Sequence, residues 1–257
     1  MAEPTFAFWC RYPSARNFGD ALTPWLIWKI TGEYPVFAWP DESPQKYIVA
    51  GSIIEFATAT TTVWGAGLIS RQDSIDAGAT ILAVRGPITR QRALECGASC
   101  PPVYGDPALL LPQLYQPISA GRGALIGVIP HYFDKPKVFA YWQPPETCNL
   151  IDIQKPIECV IDEIATCRYI ISSSLHGLIA AHAYGIPALW VQFGGKLLGD
   201  GTKFRDYLSS VGQPVYEPLC VDIHSFQPER LRQKIPKAPV CVDTTALWEC
   251  CPFRNPQ

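Results

Sequence analysis

The sequence predicts an α/β protein made of two doubly wound domains. Short apolar, β-branched runs alternate with helical segments in both halves of the chain, a pattern typical of parallel sheets. A stretch over 112–123 is rich in proline and glycine and has no apolar periodicity, so it is predicted to link the two halves. We therefore expect domains over 1–115 and 116–257, with 218–257 as a tail that packs back on the body.

The composition argues against several classes of protein. The 257 residues are 48% hydrophobic and 17% charged, which is enough for a sizeable core. The formal net charge of −2 gives no basis for nucleic-acid binding. No apolar run reaches the roughly 18 residues of a membrane-spanning helix, and the N-terminus lacks the pattern of a signal peptide. The expected location is the cytoplasm.

The ten cysteines are predicted to be reduced and buried, since none forms a Cys-x-x-Cys pair and cytoplasmic chains rarely use disulfides. No set of His, Cys, Asp or Glu has the spacing of a metal site, so no metal is expected. Gly65 and Gly67 follow a predicted strand but do not complete the dinucleotide fingerprint, which argues against a nicotinamide cofactor.

The most informative stretch is a strand followed by three serines and a helix. A buried strand is predicted over 168–172, and a helix begins directly after Ser172, Ser173 and Ser174, either of the last two being a suitable cap. Free N–H groups at such a helix start favour an anion, and His176 in the first turn is a candidate general acid. A plainer interpretation carries equal weight: the serines only cap the helix, and His176 packs against a neighbour.

Polar residues and glycines also follow strands in the first half. Asp20 is predicted to cap a helix over 21–30. Glycines after a strand allow the backbone to approach a ligand closely. The residues concerned are Asn17, Gly19, Gly51, Ser52, Gly65 and Gly67, which follow predicted strands over 6–10, 47–50 and 61–64.

Arg85 lies between a predicted strand over 80–84 and a predicted helix over 88–96. A cation beside a helix N-terminus opposes the helix dipole, so we expect an anionic ligand between the two. Asp106 is predicted either to cap a short helix or to present its carboxylate at the end of a strand.

The second half offers His131 after a predicted strand over 124–129, and Lys203 at the start of a helix predicted over 203–211. Ligands of doubly wound sheets bind at the C-terminal ends of the strands. The candidates of both halves are therefore expected to meet in a cleft between the two domains.

Several short motifs, taken together and in order, resemble the polysaccharide pyruvyl transferase family. The chain looks most like the branch that ketalates sugars of bacterial exopolysaccharides such as xanthan. Each motif alone is weak, but the set covers residues 8–210 in family order. The motifs are Asn17-Phe18-Gly19-Asp20, Gly51-Ser52, Trp64-Gly65-Ala66-Gly67, Arg85-Gly86-Pro87 with Thr89, Gly105-Asp106-Pro107-Ala108, and Ser174-Leu175-His176-Gly177 with Ala183-Tyr184-Gly185-Ile186-Pro187.

The resemblance implies two Rossmann-like domains arranged as in GT-B glycosyltransferases. It implies phosphoenolpyruvate as donor and a sugar diol as acceptor, on a repeat unit expected to be lipid-linked at the inner face of the membrane. The family's important histidine falls on His176 and its donor-binding arginine on Arg85. Many members carry an arginine where this chain has Ser174.

The resulting site prediction has a catalytic and a substrate-binding part. The predicted catalytic side chains are those of His176, Asp20 and Asp106. The predicted substrate-binding residues are Arg85, Ser172, Ser173, Ser174, Gly177, Asn17, Gly19, Gly51, Ser52, Gly65, Gly67, His131 and Lys203. No cofactor is expected, because phosphoenolpyruvate is itself a substrate.

Two other functions stay open. A glycosyltransferase of the same architecture would bind a nucleotide sugar, with Glu163 and Lys203 as candidates for a nucleotide clamp. A non-catalytic glycan-binding protein would use some of the eight Trp and eleven Tyr for stacking, although core packing explains most of them. Peripheral membrane contact through Trp39 or Trp248 is the alternative to burial of these two rings.

Overall fold

A computed structural model describes residues 3–11, 16–42, 45–118, 124–194, 199–235, 240 and 242–254. Among these residues the strands form two parallel sheets of five strands each, which confirms the predicted α/β class. The first sheet has the order β2-β1-β3-β4-β5. Its strands are β1 (Phe6–Ala7), β2 (Val36–Phe37), β3 (Lys46–Ile48), β4 (Thr61–Trp64) and β5 (Thr80–Ala83).

The second sheet has the order β10-β9-β8-β6-β7 and is also parallel throughout. Its strands are β6 (Ile126–Ile129), β7 (Cys148–Leu150), β8 (Tyr169–Ser172), β9 (Ala188–Gln192) and β10 (Leu219–Cys220). The α-helices are α1 (Phe18–Thr31), α2 (Pro87–Glu95), α3 (Leu111–Leu114), α4 (Lys135–Tyr141), α5 (Ile157–Ala165), α6 (Leu175–Ala183), α7 (Thr202–Ser210), α8 (Pro228–Leu231) and α9 (Thr245–Glu249).

The two sheets share one strand order. When the strands of each sheet are numbered along the chain, both run 2-1-3-4-5, the order of flavodoxin-like doubly wound sheets. In such a sheet the chain leaves in opposite directions from strands 1 and 3, which opens a crevice at their carboxyl ends. These switch points lie after β1 and β3 in the first sheet, and after β6 and β8 in the second.

Apolar packing joins the two halves. One cluster of buried side chains includes residues of the first half, such as Phe18 and Trp64, and residues of the second, such as Ile129 and Trp190. The Phe18 N–H donates to the Ile153 carbonyl at 3.1 Å. Near the C-terminus, the Leu247 carbonyl accepts from the Trp64 indole at 2.9 Å, so the segment around α9 lies against the first sheet.

Several predicted elements differ from the observed ones. Helix α1 begins at Phe18, so Asp20 lies in its first turn, and Asn17 takes the N-cap position predicted for Asp20. Strand β2 was not predicted, because an edge strand of two residues leaves no apolar pattern. Helix α4 was not predicted either, because Val138 is its only buried residue and no apolar stripe forms.

The nine cysteines that the structure describes are free thiols. Among the described residues, none of the helices combines the length and the hydrophobicity that a membrane span requires. The same residues also contain no group of three His, Cys, Asp or Glu side chains close enough together to hold a metal ion.

Candidate active site

A cavity of about 160 Å³ lies where the switch points of the two sheets meet. The first sheet contributes residues that follow β1 and β3, and the second contributes residues that follow β6 and β8. Its lining consists of Cys10, Asn17, Asp20, Gly51, Ser52, Ile53, Ile69, His131, Tyr132, Ser174, Leu175, His176 and Lys203. The cavity thus brings together eight predicted site residues, namely Asn17, Asp20, Gly51, Ser52, His131, Ser174, His176 and Lys203.

Ser172, the last residue of β8, and Ser174, which precedes α6, have different environments. The Ser172 hydroxyl accepts from the Ser174 N–H at 2.9 Å and lies 2.9 Å from the Ile129 carbonyl. Gly177 packs against it, since a Cβ there would lie 2.5 Å from Ser172 Oγ. Ser174 occupies the N-cap position of α6 but makes no capping bond, contrary to the predicted cap. Ser172 and Gly177 therefore shape the turn, and Ser174 lines the cavity.

His176 is held between the two halves of the molecule. Its Nε2 lies 3.4 Å from Asp106 Oδ2, and the Asp106 side chain is fully buried. The other carboxylate oxygen accepts from the Ala108 N–H at 3.0 Å, so Asp106 also caps a short 3₁₀ helix, as predicted. Gly19 lies against the opposite edge of the ring, where a Cβ would come within 2.2 Å of His176 Nδ1. Gly19 therefore leaves room for the imidazole, and Asp106 lies behind it.

Asp20 faces the cavity from the first turn of α1. Burial raises the pKa of its carboxyl group, while a hydrogen bond from Asn17 and the charges of His176 and Lys203 oppose the increase. The Asn17 amide donates to Asp20 Oδ2 at 2.9 Å. A carboxylate with a raised pKa is a stronger base, which suits proton transfer from a hydroxyl.

Lys203 brings a cation into the cavity from the start of α7. The residue is only 5% exposed, and among the described residues no carboxylate lies within ion-pair distance of its ammonium group. Burial and the neighbouring charge of Arg85 lower the pKa of Lys203 to about 8, although Asp20 and Asp134 partly compensate. A buried cation without a paired carboxylate is costly unless a bound anion neutralises it.

His131 follows β6 and enters the cavity as a neutral ring. Burial, with the charges of Lys203 and His176, lowers the pKa of His131 to about 3. Its Nδ1 accepts from the Phe133 N–H at 3.3 Å, so the ring proton belongs on Nε2. His131 can therefore donate a hydrogen bond to a ligand, but it carries no charge near neutral pH.

Arg85 lies behind the cavity wall, with its side chain fully buried. Its Nη1 donates to Ser52 Oγ at 2.7 Å, and its Nη2 donates to the Leu68 carbonyl. Its Nε lies 3.4 Å from Asp206 Oδ2, a carboxylate of α7 in the second half. The predicted donor contact of Arg85 would thus have to act through Ser52, which does line the cavity.

The anion predicted beside Arg85 is supplied by the protein itself. Asp206 Oδ1 accepts from the N–H groups of Ile88 and Thr89 at 2.9 and 3.0 Å, and Oδ2 accepts from the Thr89 hydroxyl at 2.6 Å. Asp206 therefore caps α2 and neutralises Arg85 at once. Asp206 thus supplies an anion where a bound ligand was expected, and it accepts from the Ile88 and Thr89 N–H groups at the start of α2.

The three other glycines predicted to bind substrate, Gly51, Gly65 and Gly67, differ in what they pack against. Gly51 lines the cavity with φ at 104°, a backbone conformation that favours glycine. Gly67 allows Arg85 to pass, since a Cβ there would lie 2.6 Å from the guanidinium carbon. Gly65 packs against Pro107 with similar closeness. Of these three, the structure brings only Gly51 to the cavity.

Five of the lining residues are not among the residues predicted from the sequence: Cys10, Ile53, Ile69, Tyr132 and Leu175. Tyr132 and Cys10 each lie three residues after the end of a strand, β6 and β1 respectively. These positions could have indicated that both residues lie near the site. Burial, with Asp20 and Glu55 nearby, raises the pKa of Cys10 to about 11, so the thiol stays protonated.

The fold and the site define an α/β protein whose two parallel sheets share a cavity, lined by Asp20, His176 and Lys203, with the Asp106 carboxylate 3.4 Å from His176 Nε2. The family model of polysaccharide pyruvyl transferase matches residues 17–192, and the chain belongs to this family. The matched span contains His176, Asp20 and Asp106, whereas Lys203 lies beyond it.

One curated relative is an uncharacterized protein of Acanthamoeba polyphaga mimivirus, 34% identical over 181 residues. The alignment covers 66% of this chain and 62% of the viral protein, so the chain spans less than two thirds of that relative's length.

Proposed function

We propose that this protein moves pyruvate from phosphoenolpyruvate to two hydroxyls of one sugar, forming a cyclic ketal and releasing phosphate. The observation that carries the proposal is the convergence of His176, Asp20 and Lys203 at the switch points of two parallel sheets. We also propose that the sheets belong to two Rossmann-like domains in a GT-B-like arrangement that divides near residue 115.

The negative charges of phosphoenolpyruvate determine which groups of the cavity can bind it. Phosphoenolpyruvate carries a phosphate and a carboxylate, so it needs a cation and hydrogen-bond donors. Lys203 supplies the ammonium group, and its pKa of about 8 leaves it mostly protonated at neutral pH. The N-terminus of α6 supplies backbone N–H groups beside Leu175 and His176, with hydroxyls from Ser52 and Ser174. Together these groups bind the anion without Arg85 reaching it.

The proposed chemistry balances with two hydroxyls and one enol phosphate. Carbon C3 of the donor takes a proton and becomes a methyl group, and the first sugar oxygen bonds to C2. The bond between C2 and the phosphate oxygen then breaks with its electron pair leaving on phosphate. The second sugar oxygen bonds to C2 and closes the ring. The two hydroxyl protons end on the methyl group and on the released phosphate.

His176 is the proposed general acid. The buried carboxylate of Asp106, 3.4 Å from Nε2, fixes the position of the imidazole ring. Nδ1, on the opposite edge of the ring, is then the atom that exchanges a proton with the substrate. A positioned acid of this kind contributes roughly 10² to 10⁴ in rate.

Asp20 is the proposed base for a sugar hydroxyl. Its carboxylate lines the cavity across from the α6 N-terminus, and its raised pKa makes proton acceptance easier. Asn17 holds the carboxylate in place through the 2.9 Å hydrogen bond. The acid and the base thus come from opposite sheets, so both halves of the molecule are needed for turnover.

The proposed acceptor is a sugar of a polysaccharide repeat unit, lipid-linked and handled at the cytoplasmic face of the membrane, with no cofactor besides the donor. Membership of the family supports a polysaccharide acceptor. We further propose that the protein acts in exopolysaccharide synthesis, on an acceptor bound to a lipid carrier, and contacts the membrane peripherally.

The test is an acceptor-dependence assay. The protein is incubated with phosphoenolpyruvate and a panel of lipid-linked oligosaccharides and simple glycosides, and both phosphate and acceptor mass are measured. We expect phosphate release only with an acceptor, in equal molar amount to the pyruvylated product. Protection against heat by a nucleotide sugar, with none from phosphoenolpyruvate, would instead favour a glycosyltransferase and contradict the proposal.

A further inference from the structure

Three consecutive aromatic rings run from the cavity lining to an exposed side chain beyond it. The Tyr132 ring centroid lies 4.4 Å from that of His131 and 4.3 Å from that of Phe133, and the His131 and Phe133 centroids are 5.5 Å apart. The interplanar angles of the three pairs lie between 29 and 35°. His131 and Tyr132 line the cavity, and the Phe133 side chain is 52% exposed beyond them. Isolated exposed apolar residues are common on protein surfaces, but this ring continues an aromatic surface that leads into the site.

The turn that carries the rings is fixed by hydrogen bonds. Ser173 Oγ accepts from the His131 N–H at 2.8 Å and donates to Asp134 Oδ2 at 2.6 Å. The Asp134 N–H in turn donates to the His131 carbonyl at 2.8 Å. Ser173 therefore fastens both ends of the turn to the end of β8. Rings held in this way lose little conformational freedom when a ligand binds.

We propose that Tyr132 and Phe133 form the platform that binds the acceptor, by stacking on the apolar face of the pyranose ring that carries the two reacting hydroxyls. This inference rests on the proposed function and adds the acceptor subsite to it. The C–H bonds on one face of a pyranose present partial positive charge to the negative face of an aromatic ring. A sugar stacked there would direct its hydroxyls toward the cavity, where Asp20 lies.

The polar groups around the platform fit a sugar better than a second anion. Burial, with the charges of Asp20 and Cys10, raises the pKa of Tyr132 to about 12, so its phenol stays neutral and can donate a hydrogen bond. His131 is neutral as well and offers one N–H. Neutral donors beside aromatic faces match hydroxyl groups, whereas Lys203 deeper in the cavity matches the donor's charge.

The test compares Phe133→Leu and Phe133→Trp with the wild-type protein in the acceptor-dependent assay. Phe133→Leu keeps an apolar side chain but removes the ring, so we expect the acceptor KM to rise about three- to tenfold. The donor KM and kcat should stay unchanged, and Phe133→Trp should keep the acceptor KM near that of the wild type. Because Phe133 is half exposed, the variants should fold normally. The matched control is Tyr141→Leu, a 62% exposed aromatic residue at the end of α4.

An acceptor KM for Phe133→Leu equal to that of Tyr141→Leu would overturn the platform while leaving the proposed function intact. If the wild type shows no acceptor-dependent turnover at all, the proposed function fails, and the platform is tested alone. Saturation-transfer NMR with methyl hexopyranosides then decides it: a signal with the wild type that is lost in Phe133→Leu supports the platform. Equal signals from both proteins, or none from either, would contradict it.

Discussion

Helices α2 and α6 begin in the same way, yet only α6 opens onto the cavity. Each follows a strand of a parallel sheet, and each begins with backbone N–H groups that favour an anion. At α2 the carboxylate of Asp206 accepts from two of these groups. At α6 the described residues include no side chain that caps the helix, and Leu175 and His176 line the cavity.

The difference shows that one local pattern serves two purposes. Asp206 lies on α7, so the anion at α2 comes from the other half of the molecule and joins the halves. Lys203 lies on the same helix and brings a cation toward the α6 end instead. Helix α7 thus places the Asp206 carboxylate at the N-terminus of α2 and the Lys203 ammonium group in the cavity at the N-terminus of α6.

The largest expected effect is on stability and comes from Asp206→Ala. Asp206 and Arg85 are both fully buried, so the substitution leaves a buried guanidinium without its ion-pair partner and α2 without a cap. Removal of one partner from a buried ion pair costs about 3 to 5 kcal/mol in the free energy of unfolding. Urea denaturation measures this difference.

The control for Asp206→Ala is Glu217→Ala, which breaks the ion pair between Arg205 of α7 and an exposed glutamate. Exposed pairs contribute about 0 to 1 kcal/mol, so this variant should be near wild type. Equal stability of the two variants would mean that Asp206 does not clamp the halves together.

The next largest effect is on turnover and comes from His176→Ala. We expect kcat to fall by about 10² or more, since the proposed acid is removed. The variant should still fold and should still bind phosphoenolpyruvate. Two controls separate catalysis from packing: His224→Ala removes an exposed ring, and His182→Ala removes a buried ring whose Nδ1 lies 2.9 Å from the Tyr207 hydroxyl. Near-normal turnover in His176→Ala would remove histidine from the mechanism.

The parallel sheets could be predicted because buried strands leave continuous apolar runs. The same signal identified β8, α6 and the position of His176. Strand β2 and helix α4 could not be predicted, because one is a two-residue edge and the other buries a single side chain. Their existence depends on pairing and packing with distant parts of the chain.

The sequence predicts which residues lie near the candidate site, but it does not predict which of them reach the cavity and which lie behind its wall. Asp20, Ser52 and Lys203 reach the cavity as expected, because the ends of parallel strands meet at one edge. The environment of Arg85 could be predicted only in part. Its position beside a helix start indicates that an anion is near, but only the tertiary structure shows that Asp206 is that anion.

The most direct test of this account is a calorimetric titration of wild type and Lys203→Met with phosphoenolpyruvate between pH 7.5 and 9.5. Over this range the phosphate of the donor is fully ionised. The groups that face Lys203 are Arg85, Asp20, Asp134 and His131. His131 has a pKa of about 3, so it does not titrate in this range.

Because the anion needs the charged ammonium form, wild-type affinity should fall as pH rises through about 8. The free energy of unfolding should change in the opposite direction. Because burial lowers the pKa of Lys203, the ligand-free protein should become more stable as pH rises through about 8 and Lys203 loses its proton. Lys203→Met should bind phosphoenolpyruvate about tenfold or more weakly at pH 7.5, consistent with about 1.5 to 3 kcal/mol for a charged hydrogen bond, and without the decline at higher pH. Equal affinity of the two proteins at pH 7.5 would contradict the assignment of the donor anion to the α6 end of the cavity.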